Sequence, residues 1–311
     1  MPSGAVAIVD IGSNSIKVLV ATRGLDGRIL PLKTRTLDTR ISAGIAGRNP
    51  RLSEDGMARG VEAVKTLVCD AAVYGPDQIV LVATSAVRGA ENGDEFRGRV
   101  QAATGHDIRV LTGDEEANLI GRGLTADPEL RDLRDFYVFD LGGGSLECLV
   151  FRGRRIEQGL SLKLGCVRLM EQFVSDPSAP FTCEASAAIA EHARTTLAGS
   201  GFAFSLPATA VAVGTGGTVT TVRAILGARE GKTFEQTNPN VTVAQLRELL
   251  ASVGALSLAD RREVRGLPAA RADVFPTALA TLIAVAGHGG ITMYRNSVYN
   301  LRYGVADELL A

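Results

Sequence analysis

The sequence predicts an α/β protein made of two halves of similar design, each a mixed sheet flanked by helices. Three observations predict it. The first is an internal repeat: residues 7–20 read AIVDIGSNSIKVLV and residues 137–150 read YVFDLGGGSLECLV, and at the ungapped offset of 130 Asp10 meets Asp140, Gly12 meets Gly142 and Ser15 meets Ser145. A period that long marks duplication of a large unit rather than a stack of small repeats. Second, short apolar runs alternate with stretches of helical periodicity, the pattern of a sheet with helical cover. Third, 311 residues, 46% of them hydrophobic and 22% charged, suffice for two ordinary globular domains.

Each copy of the repeat reads as strand, polar glycine-containing turn and strand, a β-hairpin with an aspartate at the end of its first strand. After the first copy, Met57, Val61, Val64, Val68 and Ala72 fall on one helical face, with Ser53 as N-cap. IVLVAT (79–84) is a buried strand, followed by a loop and a helix from Glu91 to Ala103; DIRVL (107–111) is a strand and Thr112 to Arg122 a helix. The polar segment Thr125 to Asp135, with Pro128, separates the halves, giving domains 1–125 and 126–311, with the final helix able to pack back on the first. The second half reads as strands at 137–141, 146–151 and 156–161, then helices near 163–174 and 182–198. A strand at 209–213 leads through a turn, Gly214-Thr215-Gly216-Gly217, into a helix; 228–241 is a polar loop, helices follow near 242–253 and 268–287, and a last strand and helix occupy 297–310.

Composition removes several classes of function. The net charge is −1, so the chain as a whole lacks the basic excess of a nucleic-acid coat. The most apolar stretch, Ala278 to Ala286, is far shorter than the ~20 residues of a membrane span. No basic n-region opens the chain and Asp10 interrupts its first apolar stretch, so a cytoplasmic protein without a signal peptide is expected. Cys69, Cys148, Cys166 and Cys183 show no C-x-x-C spacing and read as buried thiols, and His106, His192 and His288 are scattered.

The turns carry the first chemical signal. Glycine is in excess, 35 of 311 residues against the usual ~7%, and it is concentrated where backbone turns tightly or approaches a ligand. Asp10, Gly12, Ser13, Asn14 and Ser15 in one copy, and Gly142, Gly143, Gly144 and Ser145 in the other, offer successive N–H groups of the kind that cradle a phosphate. Gly214, Thr215, Gly216 and Gly217 sit before a helix N-terminus, a third anion site. The same turns also serve simply as tight hairpins. Asp10, Asp140 and Glu147 are hard oxygen donors suited to Mg²⁺, which would offset phosphate charge; each aspartate can instead brace its own turn. Lys17 occupies the position of Glu147 in the other copy, so the acidic copy is the metal side.

Thr112-Gly113-Asp114-Glu115 has the T-x-x-E form of a capping box. That assigns Glu115 a structural task and leaves Glu116 to polarise water, or simply to favour the helix N-terminus. In ATSAVR (83–88), Thr84, Ser85 and Arg88 follow a buried strand and are placed to meet a phosphate chain, or to end the strand in a solvated turn.

Taken in order, DIGSNS, ATSAVR, TGDEEANL, DLGGGSLE, SLKLGCVRL and VGTGGTVTT resemble the exopolyphosphatase/guanosine pentaphosphate phosphohydrolase family, within the superfamily of actin, the heat-shock ATPases and sugar kinases. The resemblance covers nearly the whole chain, through ARADVFPTAL (270–279) and NLRYGVADELL (300–310). It implies two actin-like (ribonuclease H-like) domains with an interdomain phosphate-binding cleft. It further implies removal of terminal phosphate from inorganic polyphosphate, or of the 5′ phosphate from guanosine pentaphosphate, with Mg²⁺ or Mn²⁺. By the same resemblance Glu116 is the catalytic base, Arg88 contacts phosphate, and Asp140 and Glu147 bind metal. A homodimer with no nucleic-acid or membrane partner is implied as well. Lys17 departs from relatives with arginine or a neutral residue there, and Pro276-Thr277 replaces a P-G turn. The extra C-terminal helical domains of longer relatives are not found, so processivity on very long polyphosphate is not expected unless a dimer rebuilds the groove. The competing readings are an acceptor-dependent kinase of the same superfamily, a non-catalytic sensor of these ligands, and an actin-like filament former.

Overall fold

A computed structural model describes residues 4–45 and 49–311. The chain divides into two compact units, Met1–Asp132 with Tyr299–Ala311, and Leu133–Val298. The expected boundary at residue 125 coincides with the end of a helix; a capped turn at Pro128–Leu130 follows it within the first unit.

In the first unit, strands β1 (Val6–Ile11), β2 (Ser15–Arg23) and β3 (Ile29–Asp38) run antiparallel, and β4 (Gln78–Ala83) and β5 (Ile108–Val110) continue the sheet in parallel from β1, in the order β3-β2-β1-β4-β5. β1 is apolar on both faces because both are covered. Ala7, Val9 and Ile11 join Val64, Leu67 and Phe96 in one core, drawn from helices α1 (Glu54–Ala72) and α3 (Gly93–Thr104). The C-terminal helix, Leu301–Leu309, packs on β1 and on α4 (Gly113–Thr125). That crossing is made by glycine: a Cβ on Gly123 or Gly304 would collide with the facing helix backbone.

In the second unit, β6 (Phe136–Leu141), β7 (Leu146–Arg152) and β8 (Arg155–Leu162) form the hairpin and its return strand. After α5 (Cys166–Phe173) and α6 (Cys183–Gly199) come β9 (Val211–Thr215), α7 (Gly216–Arg229), β10 (Asn240–Thr242), α8 (Val243–Gly254), α9 (Leu258–Arg262), α10 (Phe275–Gly289) and β11 (Met293–Asn296); the C-terminal helix is α11. The sheet order is β10-β11-β9-β6-β7-β8. Tyr137 and Phe139 of β6 pack with Ile189 of α6 and Leu279 of α10 in its core. The duplication therefore exceeds the hairpin: β8-β7-β6-β9-β11 repeats the order of β3-β2-β1-β4-β5, with β9 parallel to β6 as β4 is to β1.

Several local expectations shift. The buried face of α1 is Gly56, Met57, Gly60, Ala63, Val64, Leu67 and Ala71, while Ala72 is exposed. Glycine rotates it, because Gly60 lies against Phe96 and Ile41. Ser53 does cap α1, its Oγ accepting from Gly56 N at 3.0 Å. β3 escapes sequence reading since its outer residues are exposed and polar. The segment after β4, expected as a loop, opens with a short helix, α2 (Ser85–Gly89), with Thr84 before it. The Gly214–Gly217 turn does not exist as such: β9 runs through Thr215 and α7 starts at Gly216. α10 begins only at Phe275, where Pro276 fits the first helical turn, and the last strand precedes residue 297. Cys148 and Cys166 are buried, but Cys69 and Cys183 are exposed. Among the described residues no helix is long and apolar enough to cross a membrane.

Candidate functional site

In each unit the repeated turn lies at the C-terminal end of the central strand. There the chain departs to a hairpin partner on one side, and the parallel neighbour runs directly into a helix on the other. Ligand crevices of open α/β sheets form at such divergent strand ends. The register is conserved too: Asp10 pairs with Lys17 across β1 and β2, and Asp140 with Glu147 across β6 and β7.

In the first unit Gly12 N donates to Ser15 O at 3.2 Å, closing the turn, and Ser13, Asn14 and Ser15 are buried. The carbonyls are held from behind by residues 39–42. Ser42 N and Oγ donate to Ser13 O at 3.3 and 3.1 Å, and Thr39 N and Arg40 N donate to Asn14 O at 3.1 and 2.9 Å. Arg40 Nε donates to Asn14 Oδ1 at 3.2 Å, which leaves the buried Asn14 Nδ2 without an acceptor among the described residues. Arg40 reaches this position in a left-handed conformation, φ 44°, costly for a residue other than glycine. Burial pushes the Asp10 carboxyl above its ordinary range, opposed by the charges of Lys17 and Arg302.

β4 enters α2 through Thr84, whose N–H donates to Ile11 O at 3.3 Å, so Thr84 and Ser85 stand beside the end of β1. Arg88 Nη1 donates to Leu111 O at 2.6 Å and to Glu116 Oε2 at 2.9 Å. The arginine and the glutamate singled out separately in the sequence are thus an ion pair, and Glu116 is 5% exposed. Arg88 Nε and Nη2 make no hydrogen bond to the described residues and remain for a ligand. The capping box is complete: Glu115 N donates to Thr112 Oγ1 at 3.2 Å and Thr112 N to Glu115 Oε2 at 2.8 Å. These bonds, with Arg109, hold the Glu115 carboxyl below its usual range. Two adjacent glutamates therefore have separate tasks.

In the second unit Gly142 N donates to Ser145 O at 3.0 Å, as in the first turn. Here the support is a helix N-terminus. Cys166 N donates to Gly142 O at 3.0 Å, Val167 N and Arg168 N to Gly143 O at 2.9 and 3.2 Å, and Arg168 Nε to Gly144 O at 3.2 Å. Gly165 makes the approach possible, since a Cβ there would strike the Gly143 and Gly144 backbone. Asp140 pairs with Thr215 of β9, and its carboxylate lies against Gly216, φ +80°, at the start of α7. Glu147 is buried and accepts from Ser161 Oγ at 2.7 Å. Gly217 is covered by the guanidinium of Arg271, whose Nη2 lies 3.5 Å from Thr218 Oγ1.

Among the described residues no three His, Cys, Asp or Glu side chains gather as a metal cage. Asp140 and Glu147 are instead a cross-strand carboxylate pair on one sheet face. That donor set fits Mg²⁺, which takes one or two carboxylates and keeps its waters.

A model of the Ppx/GppA phosphatase family matches residues 20–311. The chain belongs to that family. Among solved structures, the Aquifex aeolicus PPX-GPPA enzyme matches with TM-score 0.77 at 24% identity, covering 99% of this chain and 100% of that one. An exopolyphosphatase from Cytophaga hutchinsonii matches with TM-score 0.88 at 21% identity, covering 98% and 97%. At these identities the likeness establishes the fold, the two-domain actin-like fold of Ppx/GppA proteins.

Sequence reading missed Arg40, Ser161, Arg168 and Arg271 as residues of the site. Ser161 and Arg168 lie in SLKLGCVRL and Arg271 in ARADVFPTAL, segments that supported the family resemblance without an assigned task. The glycine just before α5 was the available signal for Arg168; nothing local marks Arg40 or Arg271.

Proposed function

We propose that this Ppx/GppA protein is an Mg²⁺-dependent exopolyphosphatase, hydrolysing the terminal phosphoanhydride of inorganic polyphosphate and releasing orthophosphate. The observation that carries the reading is the buried Glu116 carboxylate paired with the half-buried Arg88 at 2.9 Å, on the edge of a sheet whose central strand ends in a phosphate-type turn. Glu116 has no capping duty, so its carboxylate serves as the base. Water oxygen attacks the terminal phosphorus, Glu116 takes the water proton, and the anhydride P–O bond breaks with its electron pair staying on the shortened chain. Arg88 holds that carboxylate and presents its remaining N–H groups to phosphate oxygens. Within each unit the backbone N–H groups of the turn offer donors to phosphate oxygens, with Asn14 Nδ2 beside the first turn and the start of α7 at Gly216 beside the second. Asp140 and Glu147 would hold Mg²⁺, which when bound would offset phosphate charge; Asp10, flanked by Lys17 and Arg302, stays with its turn.

The test is phosphate release with Mg²⁺ from short polyphosphate, long polyphosphate and guanosine pentaphosphate, each beside Glu116→Gln. Loss of general-base catalysis should lower kcat by about 10²–10⁴ without loss of fold by circular dichroism. Preference for guanosine pentaphosphate would move the substrate to the nucleotide branch. Near-normal turnover by folded Glu116→Gln would sink the mechanism, and release only with an added acceptor would make the protein a kinase.

A further inference from the structure

We propose that Arg168 is a positioning residue for the second phosphate turn, acting through the Gly144–Ser145 peptide rather than by touching substrate. The inference rests on the phosphate-binding reading above. Three successive peptide units, 142–143, 143–144 and 144–145, have their carbonyl oxygens capped from one side by Cys166 N, Val167 N, Arg168 N and Arg168 Nε. No peptide bond of the described chain is cis, and in a trans peptide the N–H points opposite to the C=O. The N–H groups of Gly143, Gly144 and Ser145 therefore face away from α5. None of them donates to another described residue, whereas Gly142 N is used to close the turn. Three unused N–H groups on one side of a tight turn form an anion nest.

Arg168 adds to the backbone caps a charge and a direction. Its Nε is the sole side-chain donor to these carbonyls among the described residues, and it falls on Gly144 O, the far end of the peptide whose N–H is Ser145 N. A cation on a carbonyl oxygen draws electron density through the amide and makes its N–H a stronger donor to an anion. Helix α5 has its orphan N–H groups satisfied by the turn and anchors it; Arg168 tunes it. The guanidinium lies on the carbonyl side, opposite the nest, so its effect on a bound phosphate passes through the peptide.

The experiment compares wild type, Arg168→Gln and Arg168→Lys in the full-length protein with Mg²⁺. Affinity for inorganic phosphate is read by calorimetry, kcat and KM on tripolyphosphate by phosphate release, and the unfolding midpoint by circular dichroism. Arg168→Gln should weaken phosphate binding and raise KM about fivefold, the scale of one hydrogen bond to a charged group partly open to water. Its kcat should stay within twofold and its midpoint unchanged, and Arg168→Lys should recover most of the affinity. Unchanged affinity in Arg168→Gln overturns the proposal. So does a lowered midpoint shared by both variants, which would assign Arg168 to packing. Wild type that neither binds phosphate nor releases it overturns the phosphate reading along with the proposal. Wild-type release that Glu116→Gln abolishes and Arg168→Gln leaves untouched overturns only the proposal.

Discussion

The two repeated turns share register, closing hydrogen bond and position at a central strand, yet they are built from different chemistry. The first carries side chains, Ser13, Asn14 and Ser15, and is backed by the irregular segment 39–42 with Arg40 in a left-handed conformation. The second is stripped to Gly142, Gly143 and Gly144 and is backed by the N-terminus of α5. The charges opposite the aspartates reverse as well, Lys17 in one unit and Glu147 in the other. One duplicated frame therefore supplies side-chain donors in the first unit and a backbone nest with a carboxylate pair in the second. In the first unit the same sheet edge also carries the Arg88–Glu116 ion pair, whereas in the second it carries Arg271 against Gly217 of α7. Duplication fixes the geometry, and divergence then assigns the chemistry.

The largest effect should come from breaking the support that is unique to the second turn. Gly165 has an ordinary backbone, φ −66°, so close approach alone requires glycine there. Gly165→Ala must displace the Gly143–Gly144 backbone or α5, at a cost of about 1–3 kcal/mol, read as a lower urea midpoint. Gly142→Ala, whose Cβ would lie 3.4 Å from Ser145 O, should change stability by no more than about 0.5 kcal/mol. Equal effects of the two would remove the close-packed support from the comparison.

Next in size is the charge reversal. Glu147→Gln should raise the half-saturating Mg²⁺ concentration for phosphate release at least about tenfold, the lower end of the effect seen even for outer-sphere partners. Lys17→Gln, its counterpart, should leave that concentration within about twofold. If the two respond alike, the metal does not distinguish the halves.

How much of this was readable from sequence follows the range of each interaction. The hairpins were legible because an aspartate, a polar turn and flanking apolar residues recur at a fixed offset. The capping task of Glu115 was legible because a capping box is local, spanning Thr112 to Glu115. On α1 the predicted Met57 and Val64 are buried and Val61 and Val68 pack against the core, but the contacts of Gly56 and Gly60 were not legible because glycine carries no hydropathy signal. The supposed turn at Gly214 was misread because glycines serve there to admit neighbours. Gly216 admits the Asp140 carboxylate and Gly217 the Arg271 guanidinium. Arg40 and Arg168 act on turns 26 and 24 residues away, a separation that no local pattern spans. The Arg88–Glu116 pair, 28 residues apart, was present as two separate candidates and became one device only when α2 and α4 met at the sheet edge.

The smallest effect concerns how the first unit takes its last helix from the far end of the chain. Asp307 of α11 is held by Arg23 at 2.8 Å and by Arg122, on α4, at 2.6 Å. Burial alone would raise the Asp307 carboxyl, but the hydrogen bonds and charges of the two arginines outweigh it and keep the group below its usual range. A carboxyl depressed in the folded state adds stability that is fully present above its unfolded value, near ~3.9. That stability is lost as pH falls through the lower folded value. All three side chains are partly exposed, so solvent screening limits the clamp to roughly 1 kcal/mol. Asp307→Asn should therefore have a lower urea midpoint than wild type at pH 7, with the gap closing below about pH 4 as the wild-type carboxyl protonates. A gap that persists unchanged at pH 2 would show that Asp307 contributes by shape rather than by charge. The seating of α11 on α4, the helix that carries Glu116, would then rest on packing, the Gly123–Gly304 crossing included.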